Sequence, residues 1–470
     1  MNTTIATLKN PANVMAPRIL LLASLRWPIA ARLAIAFTAL GCRVEAMCPR
    51  QHPVAKTRVI RKIYSYNFLN PLASLRRAIV SAAPDIVIPC DDNAALNLSR
   101  LYETLCVESS DRALASLITR SLGSPAACVL ATSRGALMAL AAEEKVRVPS
   151  TAVVSAADEL NPWFERNGFP AAIKIDCTWG GLGVAIVHDQ KQARLVFEHM
   201  AAAPAFGKSV ARTLLDRDPV PLLNLLTPTK RTITLQKFIS GAPANRAVAC
   251  WQGRVLGGIS VEALKTQHPT GPATVVRVIE NNEMATAAER LVRRLGLSGL
   301  WGLDFILEAH TGAAYFIEMN PRATPICHLA LPGGKNLPAA LYTQLTGIAP
   351  LTPPLTIAAE VIAMFPGEWH RQPASSYLRT HYHDVPWEEP ELIKDCLNKP
   401  WAERGLLARC WARMRPKSIR KSLQRKIQTA IKIPNVVKII PQSTSEYPNV
   451  KTFETLKEVS GSGETTKLLG

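Results

Sequence analysis

Ten cysteines are scattered through this 470-residue chain, and no two of them form a Cys-x-x-Cys pair. That spacing excludes a zinc ribbon or a thioredoxin-like redox motif, and the apolar runs around most of them point to reduced, buried thiols in a cytoplasmic protein. A leader peptide is not expected, because residues 1–17 are polar and Pro-containing. The apolar stretch 19–40 is interrupted by Arg26, Pro28 and Arg32, short of the roughly 20 clean residues a membrane span needs. No Gly-Lys-Ser/Thr run follows a glycine-rich turn, which excludes a Walker loop. No Ser-His-Asp or Cys-His set has persuasive spacing for nucleophilic catalysis.

Acidic residues are also scarce, at 36 against 55 lysines and arginines, for a formal charge of +19. The excess is local. Between Arg404 and Lys438 there are eleven lysines or arginines and no Asp or Glu. More than half of the net charge therefore belongs to one segment, so no specific nucleic-acid partner is expected of the body. Within that segment Ile419, Leu423, Ile427 and Ile431 recur every four residues, the pattern of a basic amphipathic helix. Such a run suits an anionic surface, or simply a solvated tail. The last twenty-five residues have the composition of a disordered segment.

The chain length implies two to four domains. Arg18–Ala23, Val44–Cys48 and Asp85–Cys90 read as strands, alternating with helices that end near Leu40 and span 70–82. That alternation predicts an open parallel α/β sheet, whose ligands bind beyond the carboxyl ends of the strands. Ser24–Trp27 and Asp91–Asn93 fall there, and for the acidic cluster a helix N-cap and a substrate contact both fit. Residues 111–145 read as helical, with Arg134 at the start of one helix; a lone arginine on an Ala-rich helix is more often solvated. Phe169–His188 is a strand bearing Lys174, a glycine-rich turn (Gly180, Gly181, Gly183) and a returning strand. A lysine inside a strand is costly to bury without an anion, and the glycines let backbone amides approach a phosphate. A strand, not a helix, follows those glycines, so this is no Rossmann fingerprint. Residues 204–229 read as a long loop. Further strands are expected at Thr232–Ile239, Asn245–Trp251, Val255–Val261, Ala273–Ile279 and Ile357–Phe365, with a looser polar segment at Glu262–Pro272 and a helix at 285–295 ended by Gly296.

The most informative stretch is Gly302–Arg322, read as a β-hairpin turning at His310–Gly312. Period-two alternation puts Glu318 and Asn320 on one face, and the hairpin brings Asp304 beside them. Two carboxylates and a carboxamide oxygen suit a hard cation such as Mg2+. Arg322 follows as a fixed positive charge. His328 is the titratable group nearest this cluster, though a lone histidine among apolar residues is more often structural.

A lysine-bearing strand with a glycine loop, then Gln-Lys-Phe-Ile, a helix, Asp-Phe-Ile and Phe-Ile-Glu-Met-Asn-Pro-Arg together resemble the ATP-grasp superfamily, which includes biotin carboxylase and D-alanine–D-alanine ligase. The resemblance spans roughly residues 110–345, and 18–105 is similar to the α/β domain that precedes it in that superfamily. It implies an N-terminal open parallel α/β domain followed by an ATP-grasp fold of two α+β subdomains clasping ATP. It implies that Lys174, and more loosely Arg134, contact the phosphates under a loop of Gly180, Gly181 and Gly183. The stretch Gln236, Lys237, Phe238 and Ile239 would be the adenine hinge, with Lys237 and Ile239 offering backbone groups. Gln236 stands where an acidic residue is common. Asp304, Glu318 and Asn320 would hold Mg2+, or Mn2+, and Arg322 would stabilise a transferred phosphoryl group.

The expected organisation is a flexible 1–17, an α/β domain at 18–110, an ATP-grasp domain at 111–345, an accessory segment at 346–403 and a basic tail at 404–470. The expected activity is ATP-dependent ligation, in which a small-molecule carboxylate becomes an acyl-phosphate and an amine or similar nucleophile attacks it, in a possible homodimer. A carboxylating enzyme of the biotin-carboxylase kind and a non-catalytic ATP-binding regulator are the alternatives. The former lacks a Met-Lys-Met biotinyl site on this chain.

Overall fold

Four residues without a polar side chain, Ile19–Leu22, are the signature of a strand covered on both faces. In the computed structural model, which describes residues 15–108, 111–176, 183–202, 232–350 and 355–398, they lie in β1 (Arg18–Leu22). β1 sits at the centre of a parallel sheet between β2 (Arg43–Cys48) and β4 (Ile86–Pro89), with β3 (Ile63–Ser65) at the β2 edge. Helix α1 (Ile29–Ala39) connects β1 to β2 and α2 (Pro71–Ala82) connects β3 to β4, while α3 (Asp92–Val107) follows β4. β3 has no sequence signature: it is three residues long and leaves Ile63 exposed at the edge.

The helical stretch after this sheet is three helices, α4 (Arg112–Leu122), α5 (Ala126–Thr132) and α6 (Arg134–Glu143). Pro125 caps α5 and cannot continue α4, and extended backbone at Ser133 turns α6 through 107° from α5. No single helix among the described residues is long and apolar enough to cross a membrane.

A small antiparallel sheet follows, in the order β5 (Thr151–Val154), β8 (Ile233–Lys237), β6 (Ala171–Ile175) and β7 (Val184–Val187). Helices α7 (Leu160–Asn167) and α8 (Gln190–Ala201) cover one of its faces with Trp163, Phe164 and Phe197, closing a core of its own around Ile173 and Leu235.

The larger sheet has seven strands. It contains β9 (Gly241–Trp251), β10 (Arg254–Thr266), β11 (Ala273–Ile279), β12 (Gly299–Glu308) and β13 (Ala314–Asn320), and the short β16 (Val361–Ala363) and β17 (Tyr382–His383) extend the β11 edge. Two further short strands, β14 (Ala330–Leu331) and β15 (Lys335–Asn336), pair with each other. Helix α9 (Asn282–Leu295), capped by Asn281 and ended by Gly296 in the left-handed region, packs Met284, Ala288 and Leu291 into the core behind β9, β12 and β13.

β10 runs on through Glu262–Thr266, where the sequence reads as a loose polar segment. The polar residues are carried inside the ladder: Glu262 pairs in register with Arg277 of β11, and their side chains form an ion pair at 3.6 Å. Of the expected strand 357–365, only Val361–Ala363 joins a sheet. The expected loop 204–229 and the basic tail 404–470 lie outside the described residues. Of the cysteines described, only Cys106 is exposed, and none is in a disulfide.

The seam between α4 and β12 depends on Gly123. Its φ is +81°, and a Cβ there would fall 2.0 Å from the Gly296 carbonyl oxygen. Gly123→Ala should therefore destabilise the protein by roughly 1–3 kcal/mol or more. Urea unfolding that leaves the midpoint unchanged would contradict the close approach.

Candidate active site

Three adjacent strands build the centre of the site. Asp304 on β12 pairs in register with Glu318 on β13 and with Asn245 on β9, so carboxamide, carboxylate and carboxylate stand in one row. Strict alternation along β13 would put Phe316, Glu318 and Asn320 on the same face. A register shift between Asp304 and Phe305 inserts Ile317 as a bulge, and Phe316 and Met319 both enter the core while Glu318 and Asn320 face the site. On β12 the alternation is unbroken: Leu303 and Phe305 enter that core and Asp304 takes the opposite face.

Each oxygen of Asp304 accepts one amide N–H, Oδ1 from Asn245 at 2.5 Å and Oδ2 from Asn320 at 2.9 Å. Burial, then the neighbouring Glu318 charge, push its pKa up to about 6. Two half-buried carboxylates this close repel each other unless positive charge is brought to them. One lone pair on each Asp304 oxygen remains for a ligand. The Oε2 atom of Glu318 accepts no hydrogen bond among the described residues. This donor set fits a hard divalent cation, with Asn320 Oδ1 as a further oxygen.

Cations surround it. Arg134 is buried, not solvated as its Ala-rich helix suggests: its guanidinium donates to the Ile175 carbonyl at 2.6 Å, reaches Asp176 at 3.5 Å, and meets Glu318 at 3.2 Å. It thereby ties the small sheet to the hairpin. Lys174, buried on β6, donates to Gln236 Oε1 at 2.6 Å, and Gln236 in turn donates to Thr151 at 3.2 Å. Burial and the Arg134 charge lower the lysine's pKa to about 8, while Glu318 and Asp304 pull the other way.

Arg322 leaves the end of the hairpin toward the N-terminal sheet. It donates to Asp92 at 2.8 Å and to Asn320 Oδ1 at 3.1 Å, and lies 4.8 Å above the Trp27 ring. Asp92 is the first residue of α3; Asp91, just before it, is the N-cap. Asp91 accepts from Ala94 N, from Ser24 N and Oγ, and from Leu25 N, which fixes the loop after β1. The acidic cluster thus divides: Asp91 holds the loop and Asp92 holds Arg322.

The remaining expected residues are more dispersed. Lys237 and Phe238 end β8 exposed, and Ile239 follows half-buried. The amide of Lys237 is taken by the Ser150 carbonyl at 2.8 Å and that of Phe238 by Pro170 at 3.3 Å, so the Lys237 amide is not available to an adenine edge. Gly183 is buried, with its carbonyl accepting from Ile175 N at 2.9 Å. Gly180 and Gly181 lie outside the described residues. His328 is 7% exposed and is held by Asp384 at 2.8 Å and Arg32 at 3.2 Å, a buried structural cluster. Asn245, Asp92, Trp27 and Asp176 belong to the site without having been singled out as ligands. Trp27 and Asp92 fall in the two segments expected beyond the carboxyl ends of the N-terminal strands, whereas Asn245 and Asp176 carried no signal as site residues.

Residues 173–325 match the family model of the ATP-grasp domain. The chain is 25% identical over 272 residues to a formate-dependent phosphoribosylglycinamide formyltransferase of Bacteroides thetaiotaomicron, covering 56% of this chain and 61% of that one. It is 23% identical over 289 residues to the arginine-specific carbamoyl phosphate synthase large chain of Geobacillus stearothermophilus, 60% of this chain and 24% of that one. It therefore spans less than two thirds of the length of these relatives. Among solved structures, a carboxyaminoimidazole ribonucleotide synthase from Aspergillus clavatus complexed with ATP superposes with a TM-score of 0.51 at 12% identity, over 73% of this chain and 80% of that one. The family match assigns residues 173–325 to an ATP-grasp domain, and the hairpin with its paired carboxylates lies within it.

Proposed function

We propose that this protein is an ATP-dependent ligase that activates a small carboxylic acid as an acyl-phosphate for attack by an amine or similar nucleophile, releasing ADP and phosphate. One observation carries the reading: Asp304 and Glu318 sit side by side with Arg134, Lys174 and Arg322 converging on them from three separate parts of the chain. A phosphoryl transfer between two anions needs that balance of charges. The relatives' names, a formyltransferase and a carbamoyl phosphate synthase, are compatible with carboxylate activation.

Asp304 and Glu318 would hold Mg2+, with Asn320 as a third oxygen donor. Bound there, the cation would offset the charge of the phosphates and keep the transferred group in line. Arg134 would supply fixed positive charge on the small-sheet side of that position, and Lys174 adds to it when protonated. Arg322 supplies it on the side of the N-terminal sheet, where Asp92 and Trp27 orient its guanidinium. In balanced form, a carboxylate oxygen bonds to the γ-phosphorus as the bond to ADP breaks. The nucleophile then bonds to the acyl carbon as phosphate leaves. The acceptor carboxylate would then lie near Ser24–Trp27 and the start of α3, beyond the carboxyl ends of β1 and β4, a position supported by the approach of Arg322 to Asp92 and Trp27.

Glu318→Gln keeps the side-chain shape and removes one charge from the cation site. ATP-consuming turnover should fall at least about 100-fold with the fold intact by circular dichroism; unaltered turnover would sink the metal assignment. Lys174→Ala should weaken ATP binding by about tenfold or more in calorimetry, and equal affinity would count against a phosphate contact. In the nucleotide-free protein, Gln236→Glu should move the Lys174 pKa upward from about 8, because the new carboxylate favours the charged ammonium. An NMR titration of the lysine Cε resonance reads this directly, and a downward or absent shift would contradict the pairing. A screen of carboxylic acids and amines for ADP release tests the reaction itself. ATP binding with no ADP from any pair would favour a regulatory protein.

A further inference from the structure

Arginine opens β1, opens β2 and stands two residues before β3. The parallel register pairs Arg18 with Arg43 on neighbouring strands, so two like charges lie on one face about 5 Å apart at the backbone. The amide of Arg61 bonds to the Val44 carbonyl, which brings a third arginine against the same edge. Like charges in register are destabilising unless something offsets them. The side chains of Arg18, Arg43 and Arg61 make no hydrogen bond or ion pair among the described residues.

These three exposed arginines, with Ile19, Glu45, Ala82 and Pro84, line an open pocket of about 210 Å³. Two acids within reach offset part of this charge, but neither forms an ion pair with the three arginines among the described residues. Glu45 accepts from the Tyr64 hydroxyl at 2.7 Å, and Asp85 accepts from the Arg18 backbone amide at 2.8 Å. Lys62 adds a further cation over the Tyr64 ring at 4.8 Å. The cavity therefore has a surplus of unpaired guanidinium groups at the amino ends of the strands. The candidate active site lies off the carboxyl ends, on the order of 20 Å away along β1.

We infer that this cavity is a second ligand site that takes a small phosphorylated anion, separate from the proposed ATP position. Planar guanidinium forks on adjacent strands match phosphate oxygens, and three of them favour a diphosphate over a monocarboxylate. Glu45, at the rim of the same face, opposes more highly charged or bulkier anions and limits occupancy to one small ligand.

Inorganic pyrophosphate is the probe, titrated calorimetrically into the full chain with saturating MgADP so that the active site is filled. One saturable equivalent is expected in the wild type. The double variant Arg43→Ala and Arg61→Ala, whose side chains are exposed and whose thermal melt checks its fold, should bind at least about tenfold more weakly. The basic segment 404–438 is present in both proteins and cancels in this comparison. Glu45→Gln removes the opposing charge while keeping an acceptor for Tyr64, and should bind more tightly, a gain that structural damage would not produce. Absence of a saturable equivalent in the wild type, or equal binding by wild type and double variant, overturns the inference.

Discussion

Two half-buried carboxylates on neighbouring strands repel each other unless other groups offset them, and this constraint orders the rest of the site. Amides of Asn245 and Asn320 cap the oxygens of Asp304, Arg134 reaches Glu318 from another sheet, and Arg322 comes back toward Asn320 after leaving the hairpin. Even so, Asp304 stays well above the usual carboxylate range. Burial is the larger cause and the Glu318 charge the smaller, and on the proposed reading a divalent cation held there would offset both carboxylates.

The geometry that presents this pair is a single extra residue. β13 must supply Phe316 and Met319 to the core and Glu318 and Asn320 to the site. A regular strand cannot do both, because its faces alternate with period two. The bulge at Ile317 resolves the conflict locally, and it leaves β12 regular, so Asp304 keeps its register with Asn245 on the other side.

Much of this was legible in the sequence. Strand and helix alternation before residue 105, the Gly302–Arg322 hairpin, its three oxygen donors and the buried Lys174 all follow from local periodicity and charge. What was hidden depends on pairing across long separations. Asp92 and Arg322 are 230 residues apart, and nothing near Asp92 distinguishes a capping acid from one that grips an arginine. Arg134 looked solvated because its own helix is Ala-rich, yet the carbonyl of Ile175 and the side chain of Glu318 bury it. Gln236 was notable only as an unusual hinge residue. Its partner, Lys174, lies on the neighbouring strand of a sheet whose register no local pattern encodes. The polar run Glu262–Thr266 looked like a loop because its acids and bases are satisfied only once β11 is paired alongside.

The links around Glu318 and Arg322 differ in what they join. Arg322 and the Ala323 amide, which bonds to the Pro89 carbonyl at 3.1 Å, fasten the hairpin to the N-terminal sheet. Arg134, itself at the head of α6, is the polar link from the hairpin to the small sheet that carries Lys174. The hairpin and the N-terminal sheet therefore serve as the anvil. Because Arg134 bonds at once to the Ile175 carbonyl and to Glu318, a change in the distance between the small sheet and the hairpin would be felt directly at the carboxylate pair.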